Sequence, residues 1–203
     1  MAYLLGRKEF YGLELSVNPS VLIPRPETEL LVDLALERDA SPVLDLGTGS
    51  GAVALAIKQQ RPRCRVVAVD SDLSALVTAK RNAAKLNLDV DFRHGRWFAP
   101  VAGERFALIV ANPPYVASGD PHLADLRFEP RGALVAGPDG LDSIREIVTS
   151  AGVFLLPGGW LLLEHGFGQE EAVRELIAGA GLESVTTWPD LAGIARVTGG
   201  KLK

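Results

Sequence analysis

The hydrophobic pattern of this chain alternates between two kinds of segment. Short apolar runs, typical of buried strands, are separated by longer stretches in which apolar residues recur at helical spacing. This alternation predicts an α/β domain with a mostly parallel sheet. The predicted strands are residues 43–46, 65–69, 90–93, 107–111 and 160–164. Residues 183–187 and 194–198 are expected to close the sheet as a hairpin.

Helices are predicted between these strands. Residues 52–59 form the first, and Ser71 is expected to cap a second that runs to about Leu86. A last helix is expected to end at Gly181, a residue type common just after a helix. The later helical faces consist of two apolar sets: Leu141, Ile144, Ile147 and Val148, then Val173, Leu176, Ile177 and Ala180.

The first forty residues follow a different pattern. Residues 10–16 are typical of a short hairpin, and Pro26 is well placed to begin a helix, because its missing N–H would have no partner there. We therefore expect residues 1–40 to form a hairpin and helix packed on a main domain of residues 41–203. The long irregular stretch at residues 116–139 is expected to have a functional role.

Composition limits the class of protein. The 203 residues carry a net charge of -4, which argues against a nucleic-acid backbone as the main partner. The single cysteine, Cys64, excludes an internal disulfide, and the scattered histidines lack zinc-like spacing, so no metal role is expected. No apolar stretch is long enough to span a bilayer and no signal peptide is evident, so a cytoplasmic protein is expected.

A glycine loop joins the first predicted strand to the first predicted helix: Gly47, Thr48, Gly49, Ser50 and Gly51. Glycines let the backbone approach a ligand closely, and free N–H groups at a helix start favour a carboxylate. Asp70, at the end of the next strand, is placed to accept both hydroxyls of a ribose. Taken alone, the loop is also compatible with a turn that binds nothing or with a nicotinamide enzyme.

A tetrad of Asn112, Pro113, Pro114 and Tyr115 follows the apolar run at residues 106–111. The prolines restrict the residues before them to extended geometry, so the Asn112 side-chain oxygen and the Pro113 carbonyl form preorganised acceptors for the N–H groups of a planar amide. Both acceptors would stabilise positive charge growing on that nitrogen, and Tyr115 would stack on the amide and attract a sulfonium. With the glycine loop, the tetrad predicts a methyltransferase that uses S-adenosylmethionine (AdoMet), releases S-adenosylhomocysteine and acts on a planar nitrogen.

These motifs resemble the class I AdoMet-dependent N5-glutamine methyltransferases that modify bacterial peptide-chain release factors (the HemK or PrmC group). Further matching stretches are Tyr3-Leu4-Leu5-Gly6, Ile23-Pro24-Arg25-Pro26-Glu27-Thr28-Glu29, Phe128-Glu129-Pro130-Arg131 and Asp190-Leu191-Ala192-Gly193. The resemblance implies a Rossmann-like fold with a seven-stranded, mostly parallel sheet and a C-terminal antiparallel hairpin. It also implies a release factor as protein substrate, methylated on the glutamine of its Gly-Gly-Gln motif.

The resemblance also implies roles for individual residues. Those matching the family's AdoMet-binding positions are Gly47, Thr48, Gly49, Ser50, Gly51, Asp70, Trp97 and Asn112. Those matching the positions that hold the glutamine amide are Asn112, Pro113, Pro114 and Tyr115, and the catalytic residues among them are Asn112, Pro113 and Tyr115. Residues 41–203 are then the AdoMet-dependent methyltransferase domain.

Two features depart from the family's pattern. Family members usually carry an N-terminal helical bundle before the stretch that begins here at Tyr3, so a catalytic domain without that bundle is expected. The family also usually has an aspartate before the tryptophan, where this chain has Arg96. Trp97 can still pack on adenine, but a carboxylate for the adenine amine is missing there, so an altered cofactor affinity is expected.

Several residues have two interpretations on sequence alone. Arg25 and Glu27 either cover the active site or simply begin a helix, while Glu129 and Arg131 either shape the substrate entrance or form surface ion pairs. The tryptophans outside the motifs are expected to be packing residues: Trp160 and Trp188.

Two other functions stay open at this point. One is an N-methyltransferase acting on an exocyclic amine of nucleic acid, where related tetrads serve, and the other is a non-catalytic AdoMet-binding module. The acidic, compact chain shows neither a basic surface nor a recognition domain, so direct nucleic-acid binding is not expected. Intact Asn112 and Tyr115 favour an enzyme over a binding module.

Overall fold

A computed structural model describes residues 2–203 of the chain. The strands are β1 (Arg7–Phe10), β2 (Leu13–Ser16), β3 (Val43–Leu46), β4 (Val66–Asp70), β5 (Asp91–His94), β6 (Phe106–Ala111), β7 (Leu155–Glu164), β8 (Glu183–Pro189) and β9 (Ala195–Lys201). The α-helices are α1 (Ala2–Leu5), α2 (Glu29–Glu37), α3 (Ala52–Gln60), α4 (Leu73–Leu86), α5 (Asp142–Phe154) and α6 (Glu170–Gly179). Short 3₁₀ turns lie at Pro26–Thr28, Ala99–Val101, Pro121–Ala124 and Arg131–Ala133. None of the helices within residues 2–203 is long and apolar enough to cross a membrane.

Seven of the strands form one sheet in the order β5-β4-β3-β6-β7-β9-β8. Strands β3 to β7 pair in parallel, whereas β9 runs antiparallel to both β7 and β8. The predicted Rossmann-like class I fold, with its C-terminal antiparallel hairpin, is therefore confirmed. Strand order reverses between β3 and β6, and open α/β sheets bind ligands beyond the carboxyl ends of the strands at such a point.

The strand register fixes which residues meet at that edge. Leu46 of β3 pairs with Val69 of β4 and with Ala111 of β6, and Ala111 pairs with Leu163 of β7. The next residue of each chain segment therefore lies in one row across β4, β3, β6 and β7: Asp70, Gly47, Asn112 and Glu164. Because neighbouring strands are about 4.8 Å apart, these four residues from distant parts of the chain become neighbours.

Two hydrophobic clusters cover the two faces of the sheet. Val43 and Leu108 pack with α2 and α3 on one face, and Leu44 and Ile109 pack with α5 and α6 on the other. Successive side chains of a strand point to opposite faces, so Asp45 shares the face of Val43 and is buried there. A carboxylate thus lies next to the glycine loop inside an otherwise apolar layer.

The N-terminal hairpin formed by β1 and β2 shares the first of these clusters, to which Phe10 belongs. Asn82 of α4, which is fully buried, joins it to the glycine loop: its Oδ1 accepts the Ser16 N–H at 2.7 Å, and its Nδ2 donates to the Ser16 carbonyl at 3.0 Å and the Ser50 carbonyl at 2.9 Å. The domain division after residue 40 stays a prediction, and the hairpin has both polar and apolar contacts with residues beyond that division.

Several predicted boundaries differ from the structure, the start of α4 among them. Asp72, and not Ser71, caps α4, because its carboxylate accepts the Ser74 N–H at 2.7 Å. Strand β7 begins at Leu155, ahead of the predicted start, and a register shift opposite Phe106 accommodates the glycines that interrupt its apolar pattern. The hairpin begins at Arg7, where exposed charged residues hide the alternation of the strand.

The packing role predicted for Trp160 and Trp188 is confirmed. Their rings form a tilted pair with centroids 6.4 Å apart. The Arg38 guanidinium lies over both rings, 4.5 and 4.8 Å from their centroids, in cation–π contact.

Candidate active site

A cavity of about 810 Å³ opens at the carboxyl edge of the sheet, a volume in the range of small-molecule sites. Three of the four residues in the edge row described above, Asp70, Gly47 and Asn112, are in its wall, and so is Trp97. Of the glycine loop, the cavity wall includes Gly47, Thr48, Gly49 and Ser50. Gly51 lies outside it: it is the N-cap residue just before α3, with φ 85, and a Cβ atom there would lie 3.0 Å from the Leu55 side chain. Its role is therefore the turn itself.

The glycine loop is held mainly by its own N–H groups. Four of them have acceptors within the protein: those of Gly47, Thr48, Gly49 and Gly51. The Val69 carbonyl accepts from the first two, at 2.8 and 3.0 Å, and Asp70 Oδ2 accepts from the third at 2.8 Å. Fewer N–H groups of the loop are therefore free to bind a ligand than the sequence predicts. The cavity wall continues from Ser50 to Ala52 and Val53 in the first turn of α3.

Asp70 is anchored within the site. Its Oδ2 holds the Gly49 N–H, and its Oδ1 accepts the Asp72 N–H at 2.9 Å. Burial raises its pKa, and these backbone hydrogen bonds act in the opposite direction. Each oxygen keeps acceptor capacity, because a carboxylate has about four lone-pair positions, so the geometry suits a further pair of hydroxyl groups.

Asp45 is a member of the site that the sequence analysis did not assign. It lies in the cavity wall, and its Oδ2 accepts a hydrogen bond from the Thr48 hydroxyl at 2.7 Å. Burial raises its pKa to about 7, although the Thr48 hydroxyl and the Ala54 N–H lower it. An acidic residue within an apolar strand was the signal, because carboxylates are rarely buried without a reason.

Trp97 is fixed from two sides. Its backbone is left-handed, with φ 45, and its ring lies 3.5 Å from the position that a Cβ atom on Gly47 would take. Its indole N–H donates to Glu146 Oε2 at 2.8 Å, and Arg96 donates twice to the same carboxylate, at 2.9 and 2.7 Å. Where family members usually have an aspartate, this chain has Arg96, and the carboxylate near this turn is that of Glu146 from α5. Glu146 already accepts hydrogen bonds from Arg96 and Trp97.

Only part of the tetrad of residues 112–115 lines the cavity. Asn112 and Pro114 are in the wall, whereas Pro113 is buried and Tyr115 half-buried outside it. The Tyr115 ring packs in the cluster on the α5 and α6 face, and burial raises the pKa of its hydroxyl, which lies 3.4 Å from Glu164 Oε1. The expected stacking of Tyr115 on a substrate therefore stays a prediction that this geometry does not display.

The proline-framed segment and the long loop meet over the cavity. Arg25 is in the wall and forms an ion pair with Glu129, whose side chain is only 7% exposed. The same carboxylate accepts the Ile23 N–H at 3.1 Å. Arg25 therefore has the site-covering position considered above, whereas Glu27, Glu129 and Arg131 are outside the wall. Glu129 contacts the site through Arg25, and its role at the substrate entrance stays a prediction.

The residues of the wall fit AdoMet. Asp45 suits its ammonium group and Asp70 suits its ribose hydroxyls. The Trp97 ring offers an apolar face for the adenine. Among residues 2–203, no cluster of three or more His, Cys, Asp or Glu side chains is arranged to hold a metal ion.

Comparisons with known proteins agree with this site. The family model described as "Methyltransferase small domain" matches residues 26–126. The chain resembles a T. thermophilus 16S rRNA N2 methyltransferase, solved in complex with AdoMet and guanosine, with a TM-score of 0.72; the match covers 97% of this chain and 50% of that one. At 23% identity this similarity shows the fold alone.

Two curated relatives are much more similar. Over 99% of its length the chain is 51% identical to the release factor glutamine methyltransferase of Xylella fastidiosa (strain Temecula1), of which it covers 76%. Over 100% of its length it is 50% identical to the release factor glutamine methyltransferase of Vibrio cholerae, of which it covers 73%. The chain therefore belongs to the family of release factor glutamine methyltransferases.

Proposed function

We propose that this chain transfers a methyl group from AdoMet to N5 of the glutamine in the Gly-Gly-Gln motif of a peptide-chain release factor. The orientation of Asn112 carries the proposal. Its side chain is in the cavity wall, and its Nδ2 donates to Thr28 Oγ1 at 3.1 Å. Because Nδ2 and Oδ1 lie on opposite sides of the amide group, Oδ1 is left to accept an N–H from a substrate amide. Family membership supports the release factor as the protein substrate.

The tetrad makes the amide nitrogen reactive by orienting it. An amide nitrogen is a poor nucleophile, because its lone pair is shared with the carbonyl. Asn112 Oδ1 accepts one N–H and the Pro113 carbonyl accepts the other, so both hydrogens are held and the lone pair faces the methyl group that AdoMet supplies when bound. The same acceptors stabilise the positive charge that develops on nitrogen. Alignment of the two reactants provides much of the acceleration, and the methylated nitrogen sheds its proton afterwards.

The other residues of the wall hold the cofactor. Asp70 binds the ribose hydroxyls, Trp97 covers the adenine and Asp45 faces the ammonium group. The remaining cofactor contacts come from the glycine loop: Gly47, Thr48, Gly49 and Ser50, with Gly51 shaping the turn. S-adenosylhomocysteine leaves the same site as product.

A protein substrate fits the charges around the cavity better than a nucleic acid. The two arginines of the wall are both in ion pairs, Arg25 with Glu129 and Arg96 with Glu146. Neither is therefore free to neutralise phosphates, and the net charge of -4 opposes nonspecific binding. A release factor substrate also agrees with a location in the cytoplasm, where translation ends.

Labelled AdoMet tests the proposal directly. The chain is incubated with a release factor, the same factor with its Gly-Gly-Gln glutamine replaced, duplex DNA or ribosomal RNA. We expect label on the intact release factor alone. Label on either nucleic acid, or on the release factor with the glutamine replaced, would contradict the proposal.

Replacement of Asn112 tests the mechanism. Asn112→Ala is expected to lower kcat by about 10²-fold or more, because it removes an acceptor that acts on the developing charge. Binding of AdoMet, measured by calorimetry, is expected to change much less. Asn87→Gly is the control: Asn87 is exposed and left-handed at the end of α4, so this variant should keep wild-type activity. Full methyl transfer by Asn112→Ala would rule the mechanism out.

A further inference from the structure

Two buried residues outside the mechanism lie next to Asn112. Thr28, in the 3₁₀ turn before α2, is 4% exposed, and its Oγ1 accepts the hydrogen bond from Asn112 Nδ2. Glu164, which follows Asn112 in the edge row, is 1% exposed. The Thr28 hydroxyl also lies close enough to the Glu164 carboxylate to lower its pKa, and Oε2 of that buried carboxylate has no other partner among residues 2–203. A chain of contacts thus runs from Asn112 through Thr28 to Glu164.

The direction of this chain follows from the donors and acceptors. A hydroxyl has one proton, so Thr28, whose oxygen accepts from Asn112, needs another group to accept that proton. An ionised carboxylate only accepts, and Glu164 Oε2 has no hydrogen bond of normal geometry among residues 2–203. Glu164 therefore draws the Thr28 proton toward itself and leaves a Thr28 lone pair facing the Asn112 NH₂ group. Without this bias the amide could turn by half a rotation and present its NH₂ group to the substrate N–H.

We propose that Thr28 and Glu164 are positioning residues that fix the side-chain amide of Asn112 with its oxygen toward the substrate amide. The proposal rests on the proposed function, since it assigns how the acceptor of that reaction is oriented. Both residues act through Asn112. Tyr115, whose hydroxyl lies near Glu164 Oε1, shares the same carboxylate, so one buried group supports two members of the tetrad.

The surroundings of Glu164 supply a readout. Its pKa is raised to about 7, mainly by burial and to a smaller extent by the Glu27 charge, while the Thr28 and Tyr115 hydroxyls and the Arg196 charge act to lower it. The adjacent His165 is also buried, and burial lowers its pKa. Near neutral pH, the carboxylate that accepts the Thr28 proton therefore changes its protonation state.

Kinetics of Thr28 variants provide the first test. Thr28→Val keeps the shape and removes the hydroxyl, and we expect kcat to fall roughly 10–100-fold, as for a misplaced catalytic group, with AdoMet affinity nearly unchanged. Thr28→Ser keeps the hydroxyl and should restore kcat to within about threefold of wild type. Thr78→Val is the matched control, because Thr78 is also buried and, within residues 2–203, its hydroxyl bonds Asn18 and Ser74 but not Asn112. Wild-type kcat in Thr28→Val, or equal losses in Thr28→Val and Thr28→Ser, would overturn the proposal.

An NMR measurement needs no methyl acceptor and so separates this proposal from the proposed function. The side-chain NH₂ signals of Asn112, identified by their loss in Asn112→Ala, are expected to shift with pH around 7 in the wild type. Glu164→Gln should abolish that shift, and Thr28→Val should speed hydrogen exchange of the same NH₂ group. Signals that titrate identically in wild type and Glu164→Gln, or exchange unchanged in Thr28→Val, would overturn the proposal even if the release factor is methylated.

Discussion

At the scale of single residues, the buried carboxylates set the chemistry of the site. Asp45 lies on the face of β3 that packs with α2 and α3, and Glu164 ends β7. Both have a pKa raised to about 7 by burial. Each therefore responds to pH near neutrality, in contrast to exposed carboxylates such as Asp139, whose pKa is lowered to about 2 by Arg145.

AdoMet binding is expected to be linked to proton release from Asp45. Because the carboxyl group has a pKa of about 7, it is mostly neutral at pH 6, and an ammonium group beside it would favour ionisation. Affinity should therefore rise as pH increases from about 6 to 8, by at most about tenfold per pH unit. Calorimetry in two buffers of different ionisation enthalpy measures the protons released.

Asp45→Asn should abolish this linkage, and Asp89→Asn, an exposed site, should keep it. Equal proton release by the wild type and Asp45→Asn would show that Asp45 does not face the ammonium group.

At the scale of elements, the site consists of strand ends that two segments cover: the proline-framed segment before α2 and the long loop at residues 116–139. Glu129 joins them by accepting the Ile23 N–H and pairing with Arg25. The long loop also closes on itself through a bridge between Val116 and Val135. The cover of the cavity therefore depends on one nearly buried carboxylate.

Glu129→Gln is expected to loosen this cover. The amide can still accept the Ile23 N–H but loses the charge that pairs with Arg25, which should lower the free energy of unfolding by roughly 1–3 kcal/mol. Hydrogen exchange in residues 121–134 should become faster, and AdoMet should dissociate faster. Glu37→Gln is the control: the Glu37 side chain is 69% exposed, and its Oε2 lies 3.8 Å from Arg38 Nη1. Such an exposed ion pair contributes little to stability. Equal exchange in the two variants would contradict the role of Glu129.

The elements that sequence predicts well are those with a local signal. The apolar run of β3 and the glycine loop after it are specified by adjacent residues, and so is the turn around Pro113. The predicted cap of α4 is wrong because Ser71 and Asp72 are both good caps, and only backbone geometry selects Asp72. The Thr28 contact with Asn112 spans 84 positions and depends on how the N-terminal segment packs over the sheet, which no local pattern contains.

At the scale of the whole molecule, the raised pKa values affect stability. Asp45 and Glu164 have ordinary values of 3.8 and 4.5 but about 7 in the folded protein. Between those values the folded protein binds more protons than the unfolded chain. The stabilisation they give is complete below about pH 4 and is lost as pH rises through 7.

The free energy of unfolding is therefore expected to fall from pH 5 to 8, by at most about 1.4 kcal/mol per pH unit for each group. Urea denaturation at several pH values measures this slope. Asp45→Asn and Glu164→Gln should each reduce it. A slope that is the same in both variants and the wild type would contradict the assignment.

The amide of Asn82 has a consequence for anyone who shortens or splits this chain. This fully buried side chain accepts the Ser16 N–H and donates to the carbonyls of Ser16 and Ser50. Removing the hairpin would leave two of its three hydrogen bonds without partners and uncover the apolar side of Phe10's cluster. The hairpin therefore helps to hold the glycine loop in place through Asn82, and a minimal catalytic fragment has to include the hairpin.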